Sequence, residues 1–505
     1  MRLLLLALFA LQLFSCKTSY AQLSDQQITT AAIQSVDLYR DLLSIPNDAI
    51  NKEDIQKNIT WCTSAIEKRG FTTEVLPTAT VPSLYAQSKA WDASLPTVLF
   101  YFHLDGQSVD PQYWYQDDPY QAVLKKRVEG EGWVDLDWSE LSVDNYDRDW
   151  YIFARSASDS KNNFSTLLAA LDLIKGEGGS LPYNLKMILD FEEERSSPSL
   201  RTTVVTYKEK LAADMLVIYD GPRHISNRPT LSFGARGIAT MTLTTYGPVF
   251  AQHSGHYGNY APNPALKLSK LLASMKDDEG RVIIPGYYDG ISIDPATQAI
   301  LDAVPDDERV IQAKLGIATT DKVSDSYQKA LQYPSLNIRG MASGWVGQDA
   351  RTIVPATATA EIDLRLVKES DPYRLIDLIT KHIEGEGYFI TDAKPTQRER
   401  LTHPHICRLE SKVAYNAFRT DFDSNIGKWL THAMEQAFGE TPIRHRTSGG
   451  SIPISPFVET LGVPAVSVPM ANRDNNQHSP NENVRLGNYI DGVKTMYYIM
   501  TTPIK

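Results

Sequence analysis

Apolar positions repeat along the chain with two different periods. Residues 28–43 and 59–69 carry helical spacing, the second stretch ending at Gly70. Residues 97–102, Thr-Val-Leu-Phe-Tyr-Phe, form a near-continuous apolar run, the pattern of a strand buried on both faces of a parallel sheet. Residues 161–175 predict a helix, 185–189 a strand, 199–212 a helix and 215–219 a strand. That alternation implies an α/β fold: a doubly wound, mostly parallel sheet with helices on both faces. The pattern then changes. Residues 230–245 predict a hairpin, 263–275 a helix, 352–367 a strand, 372–385 a helix and 388–392 a strand, which reads as an inserted α+β unit. After about residue 414 the first rhythm resumes, with a helix at 426–438, a strand at 465–468 and a helix at 486–500. One domain therefore spans 22–235 and 415–505, interrupted by a second over 236–414. The acidic, Trp-rich stretch 124–151 reads as a surface excursion.

The N-terminus stands apart. Residues 3–14 are apolar except for Gln12 and follow Met1-Arg2. The run is too short to span a bilayer and suits a signal-peptide core. Two ends are open. Leu13-Phe14-Ser15-Cys16 resembles a lipobox, cut after Ser15, with a lipid anchor on Cys16 as the one membrane contact. Ser19-Tyr20-Ala21 fits the small-x-small rule and would end the leader at residue 21. Either way the chain is expected to be exported, to the periplasm or cell envelope of a bacterium or into the medium.

With 505 residues, 42% hydrophobic, the chain has material for a large core, and a net charge of −11 argues against a nucleic-acid partner. Beyond Cys16 only Cys62 and Cys407 remain; they read as free buried thiols and make no zinc knuckle.

Chemistry concentrates near strand ends. The segment DFEEERSSP, 190–198, sets four acidic residues behind an apolar strand, at a cost in repulsion and desolvation. In a parallel sheet, ligands bind beyond the carboxyl ends of the strands. His103 and Asp105 close the strand 97–102 and share a face. Glu193 and Glu194 follow one strand, and Asp220 follows the next. Asp159 lies in a turn before a helix, and His478 in a loop before the last helix. Two imidazoles and several carboxylates suit two divalent cations sharing one bridging carboxylate; zinc accepts such donors, and manganese and cobalt share them. The cations would offset the acidic cluster. Adjacent glutamates allow one to ligate and the other to act as general base. Each residue alone has a plainer reading, as a hydrogen-bonding, capping or solvated side chain; their joint placement favours a site.

These residues resemble a known family, the co-catalytic zinc peptidases that include carnosinases, non-specific dipeptidases, aminoacylases, acetylornithine deacetylases and bacterial glutamate carboxypeptidase. The segments FHLDGQSVDPQYWYQDDPY, ARSASDSKNN, EERSSPSL, HSGHYGN, RTIVP, DLRLVKESDP, SGGSIP and HSPNE follow the family's order. The resemblance implies that Asp159 bridges two metals, with His103, Asp220, Glu194 and His478 completing their ligands. It makes Glu193 the general base and Asp105 the carboxylate orienting His103. His253, on the inserted unit, would stabilise the oxyanion in a partner subunit's site, and Thr352 would come from that partner. Arg365 and Ser451 would grip the substrate carboxylate. The inserted unit would be a ferredoxin-like lid and dimerisation domain, giving a homodimer. The implied function is a secreted exopeptidase that hydrolyses dipeptides or small peptides through a metal-bridged hydroxide; the Thr352-to-Arg365 spacing favours the carnosinase/dipeptidase branch. A deacylase of N-acyl amino acids is the alternative within the family. A non-catalytic peptide- or metal-binding protein is the alternative of another class. A serine hydrolase using Ser451 lacks the Gly-x-Ser-x-Gly elbow.

Three positions depart from the family's pattern. Ser156, Ser196 and Asn259 stand where it has glycine. The remaining histidines, His224, His256, His382, His403, His405, His432 and His445, match no ligand position and read as surface or structural.

Overall fold

A computed structural model describes residues 23–450 and 452–505. The expected leader, including Cys16, and Ser451 lie outside the described residues. The largest sheet has eight strands in the order Phe71–Leu76, Ser83–Ser88, Asn184–Asp190, Thr97–His103, Met215–Ile218, Ala465–Ser467, Thr230–Ser232 and Ile443–His445. Its centre is parallel: Thr97–His103 pairs in parallel with both neighbours, and antiparallel pairs lie toward the edges. The apolar run at 97–102 has the expected cause. Val98, Phe100 and Phe102 join the core on one face, beneath Lys161–Gly176 and Leu486–Thr501; Leu99 and Tyr101 join the core on the other, beneath Leu200–Thr206 and Ser455–Leu461. Burying each such side chain contributes about 1.5–3 kcal/mol. Cys62 and Cys407 are free and buried.

A second sheet of five strands runs Ser335–Ala342, Thr357–Leu366, Gly237–Tyr246, Ile406–Tyr415, Phe389–Ile390, antiparallel except for the last pair. Strand Gly237–Tyr246 alternates buried and half-buried positions, and helices Pro264–Ala273 and Pro372–Gly385 contribute to the core on its buried side.

Several elements differ from expectation. The stretch 230–245 is not a hairpin. Thr230–Ser232 belongs to the large sheet, Gly234–Ala235 pairs with Phe418–Arg419, and Gly237–Tyr246 is central in the second sheet. Its glycines mark a close crossing rather than a turn: a Cβ on Gly237 would lie 2.5 Å from the Tyr415 carbonyl oxygen. The helix at 28–43 breaks at Ser35 into Asp25–Gln34 and Val36–Leu43, and the next helix begins earlier, at Lys52, capped by Asn51. Pro355 divides 352–367 into Ile353–Val354 and Thr357–Leu366, since it lacks an N–H for the ladder. Finally, 124–151 is not an excursion alone. Val123–Val128 and Gly132–Leu136 form a hairpin within a four-stranded sheet that also takes Tyr151–Phe153 and Asn483–Arg485. Its charged residues hid it, yet the Lys125 ammonium lies over the Tyr115 and Phe153 rings, at 5.7 and 5.8 Å.

Candidate metal centre

Strand ends and the turns behind them supply the site. Thr97–His103 ends in His103, Asn184–Asp190 leads into the turn with Glu193 and Glu194, Met215–Ile218 precedes Asp220, and Asp159 precedes helix Lys161–Gly176. The small sheet fixes the other wall. Asn483–Arg485 pairs with Tyr151–Phe153, bringing the His478 loop to the Asp159 turn.

The five expected ligands converge. His103 Nε2 lies 3.1 Å from Asp159 Oδ1 and 3.4 Å from Asp220 Oδ1. His478 Nε2 lies 3.1 Å from Asp159 Oδ2 and 3.1 Å from Glu194 Oε2. The result is two clusters, His103–Asp159–Asp220 and Asp159–Glu194–His478, each within 4.8 Å and sharing Asp159. His103 is fully buried, and neither ring nitrogen has a hydrogen-bond partner among the described residues. A buried imidazole facing carboxylates without hydrogen-bonding geometry fits a ligand that shares a cation with them. The residues therefore fit two divalent ions.

The electrostatics point the same way. Burial opposes a proton on His103, but Asp105, Asp159 and Asp220 outweigh it and raise its pKa well above the usual value. Hydrogen bonds to Asp159 and Glu194 push His478 up to about 10. Burial would raise the Asp159 carboxyl, yet His103 and His478 hold it well below the carboxylate range. Glu193 is raised well above its usual value, by burial first and then by Asp220, Glu194 and Asp105, with His103 opposing. In effect the site draws protons where cations would serve.

Asp105 does more than orient His103, whose Nδ1 lies 3.6 Å away. Its two oxygens accept the backbone N–H groups of Glu193 and Glu194, both at 3.0 Å. One carboxylate thus ties the end of the His103 strand to the turn that carries Glu193 and Glu194. Three further residues escaped the sequence reading. Buried Glu482 accepts from Arg155 Nη1 at 2.7 Å and from the N–H groups of Ser156, Ser158 and Asp159, each at 2.9 Å. Gln107 donates to Glu194 Oε2 at 2.8 Å and Gln477 to Asp159 Oδ2 at 3.2 Å. The signal for Glu482 was present in HSPNE, where only the histidine was assigned a role.

Of the residues expected to meet substrate, Arg365 lies on the second sheet, and His253 and Thr352 lie at a separate two-stranded ladder, Gln252–His253 with Ile353–Val354. His253 is exposed in a two-residue ladder opposite Ile353, and Ser254 N–H donates to the Thr352 carbonyl at 3.0 Å, so His253 and exposed Thr352 are neighbours. The metal clusters of this chain include neither. Arg365 lies on Thr357–Leu366 with its Nε 3.6 Å from Asp363. The other histidines are outside the clusters; His224, for one, meets Asp306 at 2.9 Å. Of the three departures from glycine, Ser156 and Ser196 adopt the left-handed backbone that glycine favours, at φ 62° and 69°, while Asn259 does not.

Two imidazole–carboxylate clusters sharing one aspartate, at the strand ends of an α/β sheet interrupted by an antiparallel unit, define a metallopeptidase with a dinuclear site. Residues 233–389 match the family described as the peptidase dimerisation domain of M20 peptidases. The chain is 27% identical over 414 residues to the Cys-Gly metallodipeptidase of Candida albicans, covering 80% of this chain and 78% of that one. It is 25% identical over 422 residues to the Beta-Ala-His dipeptidase of Mus musculus, covering 82% and 78%. An M20 family metallo-carboxypeptidase of Sulfolobus solfataricus shares the fold, with a TM-score of 0.74 at 24% identity, covering 92% of this chain and 98% of that one. The chain is thus similar to the M20 metallopeptidases, and among them to the dipeptidases of the carnosinase branch; it is a peptidase that hydrolyses amide bonds.

Proposed function

We propose that this chain is an exported exopeptidase that cleaves dipeptides. The observation that carries the reading is the pair of clusters sharing Asp159, with Glu193 beside the ligand Glu194, in a chain whose sequence relatives are named dipeptidases. His103, Asp159 and Asp220 would hold one cation, and Asp159, Glu194 and His478 the other; zinc suits this donor set, and manganese and cobalt share it. When bound, the pair lowers the pKa of a water and polarises the substrate carbonyl.

The chain's own groups do the rest. Glu193, buried and raised in pKa, takes a proton from the attacking water and passes it to the leaving amine. Asp105 holds the backbone of that glutamate and the ring of His103. His253 of a partner subunit stabilises the oxyanion, with Thr352 beside it. Arg365 and Ser451 bind the substrate's terminal carboxylate, a task suited to guanidinium. Residues 236–414 act as lid and dimerisation unit on the catalytic part, 22–235 and 415–505. The apolar run at 3–14 directs export, with or without a lipid on Cys16.

The test is a chelation and add-back assay on a panel of dipeptides and N-acetyl amino acids. Dipeptide hydrolysis should vanish with chelator and return with Zn²⁺. Preference for the acetylated compounds would instead assign the deacylase, and activity resistant to chelator would remove the metal reading.

A further inference from the structure

The turn that carries Glu193 is an unusual one. Ser196 and Ser197 both lie in the left-handed region, at φ 69° and 40°, where non-glycine residues are uncommon. Most ties that hold the turn come from its own sheet. Ser197 Oγ donates to Asp190 Oδ2 at 2.5 Å, Ser197 N–H to the Glu192 carbonyl at 2.9 Å, and Asp105 takes the two glutamate N–H groups. Among the described residues, one hydrogen bond reaches the turn from the second sheet: the Tyr415 hydroxyl donates to the Ser196 carbonyl at 3.2 Å.

The position of Tyr415 gives that bond its meaning. Tyr415 ends the strand Ile406–Tyr415, where the chain leaves the second sheet, directly opposite Ile238. Ile238 in turn stands opposite Arg365. Arg365, Ile238 and Tyr415 therefore form one rung across three strands, about 10 Å from end to end. The crossing beside them is tight, since only glycine fits at Gly237 against the Tyr415 carbonyl. Tyr415 is half-buried, and the charges of Glu193 and Asp190 are close enough to act on its phenol.

We propose that Tyr415 is a positioning residue for Glu193. Its hydroxyl fastens the turn of the base to the rung that carries Arg365, setting the span between the carboxylate grip and the proton acceptor. The proposal rests on Glu193 serving as the base.

The test compares zinc-loaded wild type, Tyr415→Phe, Ser196→Gly and the double variant on one dipeptide. Tyr415→Phe should lose about three- to tenfold in kcat, the worth of one neutral hydrogen bond, with KM, metal content and melting temperature nearly unchanged. Ser196→Gly in that background should restore kcat, because glycine holds the left-handed turn without an outside tie. In metal-free protein, hydrogen exchange at 193–198 should quicken in Tyr415→Phe. Unchanged kcat, or a loss seen in metal content and KM instead, would overturn the assignment. If the wild type cleaves no dipeptide, the functional reading fails separately, and unchanged exchange at 193–198 would still defeat the tie.

Discussion

Two acidic neighbours, Glu193 and Glu194, hold different environments although they are adjacent in the chain. Glu194 receives His478 at 3.1 Å and Gln107 at 2.8 Å, so its carboxylate is committed. Glu193 has its backbone fixed by Asp105, and burial raises its carboxyl. That difference predicts the outcome of Glu193→Gln: full metal content with turnover down about 10²–10⁴-fold. Metal analysis and dipeptide kinetics on the same preparation check it, and near-normal turnover would refute the base. A second prediction concerns a histidine away from the site. Burial first, then His224, lowers His445 to about 4. Its ring stands 5.8 Å from that of His224, with Asp306 and Arg473 also acting on it. Between about pH 4 and the unfolded value near 6.5, the unfolded chain binds more protons, so stability falls on acidification through that window. The loss approaches about 3 kcal/mol at the acid end. His445→Gln should flatten the melting temperature of metal-free protein over that pH range relative to wild type; equal slopes would remove the assignment.

At the scale of elements, Glu482 shows how the site is assembled. It sits after the His478 loop and wraps its carboxylate around the backbone of 156–159, so the loop of one candidate ligand holds the turn of another. Glu482→Gln leaves Arg155 buried without its charge partner, a loss of about 3–5 kcal/mol. Metal affinity should fall with stability, read by urea midpoint and metal titration. Unchanged affinity would confine Glu482 to stability alone. The same elements mark what could be read from sequence. Thr97–His103 was legible because a strand buried on both faces is apolar throughout, and the polar His103 that ends it stands out. The convergence of the candidate ligands was legible for that reason: carboxylates and imidazoles at strand ends have no packing role. Glu482, Gln107 and Gln477 were not, because their partners are backbone N–H groups and other ligands, which no periodicity reveals. The expected hairpin at 230–245 fails because its strand-like pattern is shared among three sheets, and its glycines serve a close crossing of two connections. The hairpin at 123–136 stayed hidden because lysine stems packed on aromatic rings look like a solvated stretch.

For the whole molecule, the decisive matter is that the pieces of the proposed site lie on two parts of the chain, the large-sheet part and the inserted unit. The expected ligands gather by the strand ends of the large sheet, whereas His253 and Thr352 sit together, exposed, at the two-stranded ladder of the inserted unit. Large apolar side chains are exposed on that unit: Phe250 at 72%, Tyr260 at 85% and Val346 at 84%. Apolar exposure of this degree suits an interface. A two-fold dimer through this unit would give each site one protomer's Glu193 and the other's His253. His253→Ala and Glu193→Gln should then each abolish turnover alone. Mixed dimers would carry one site with both lesions and one with neither. Random pairing at equal amounts should therefore return about a quarter of wild-type turnover. If His253 acted within its own chain, or not at all, mixing would yield only the mean of the two variants, and the shared site would be lost as an idea.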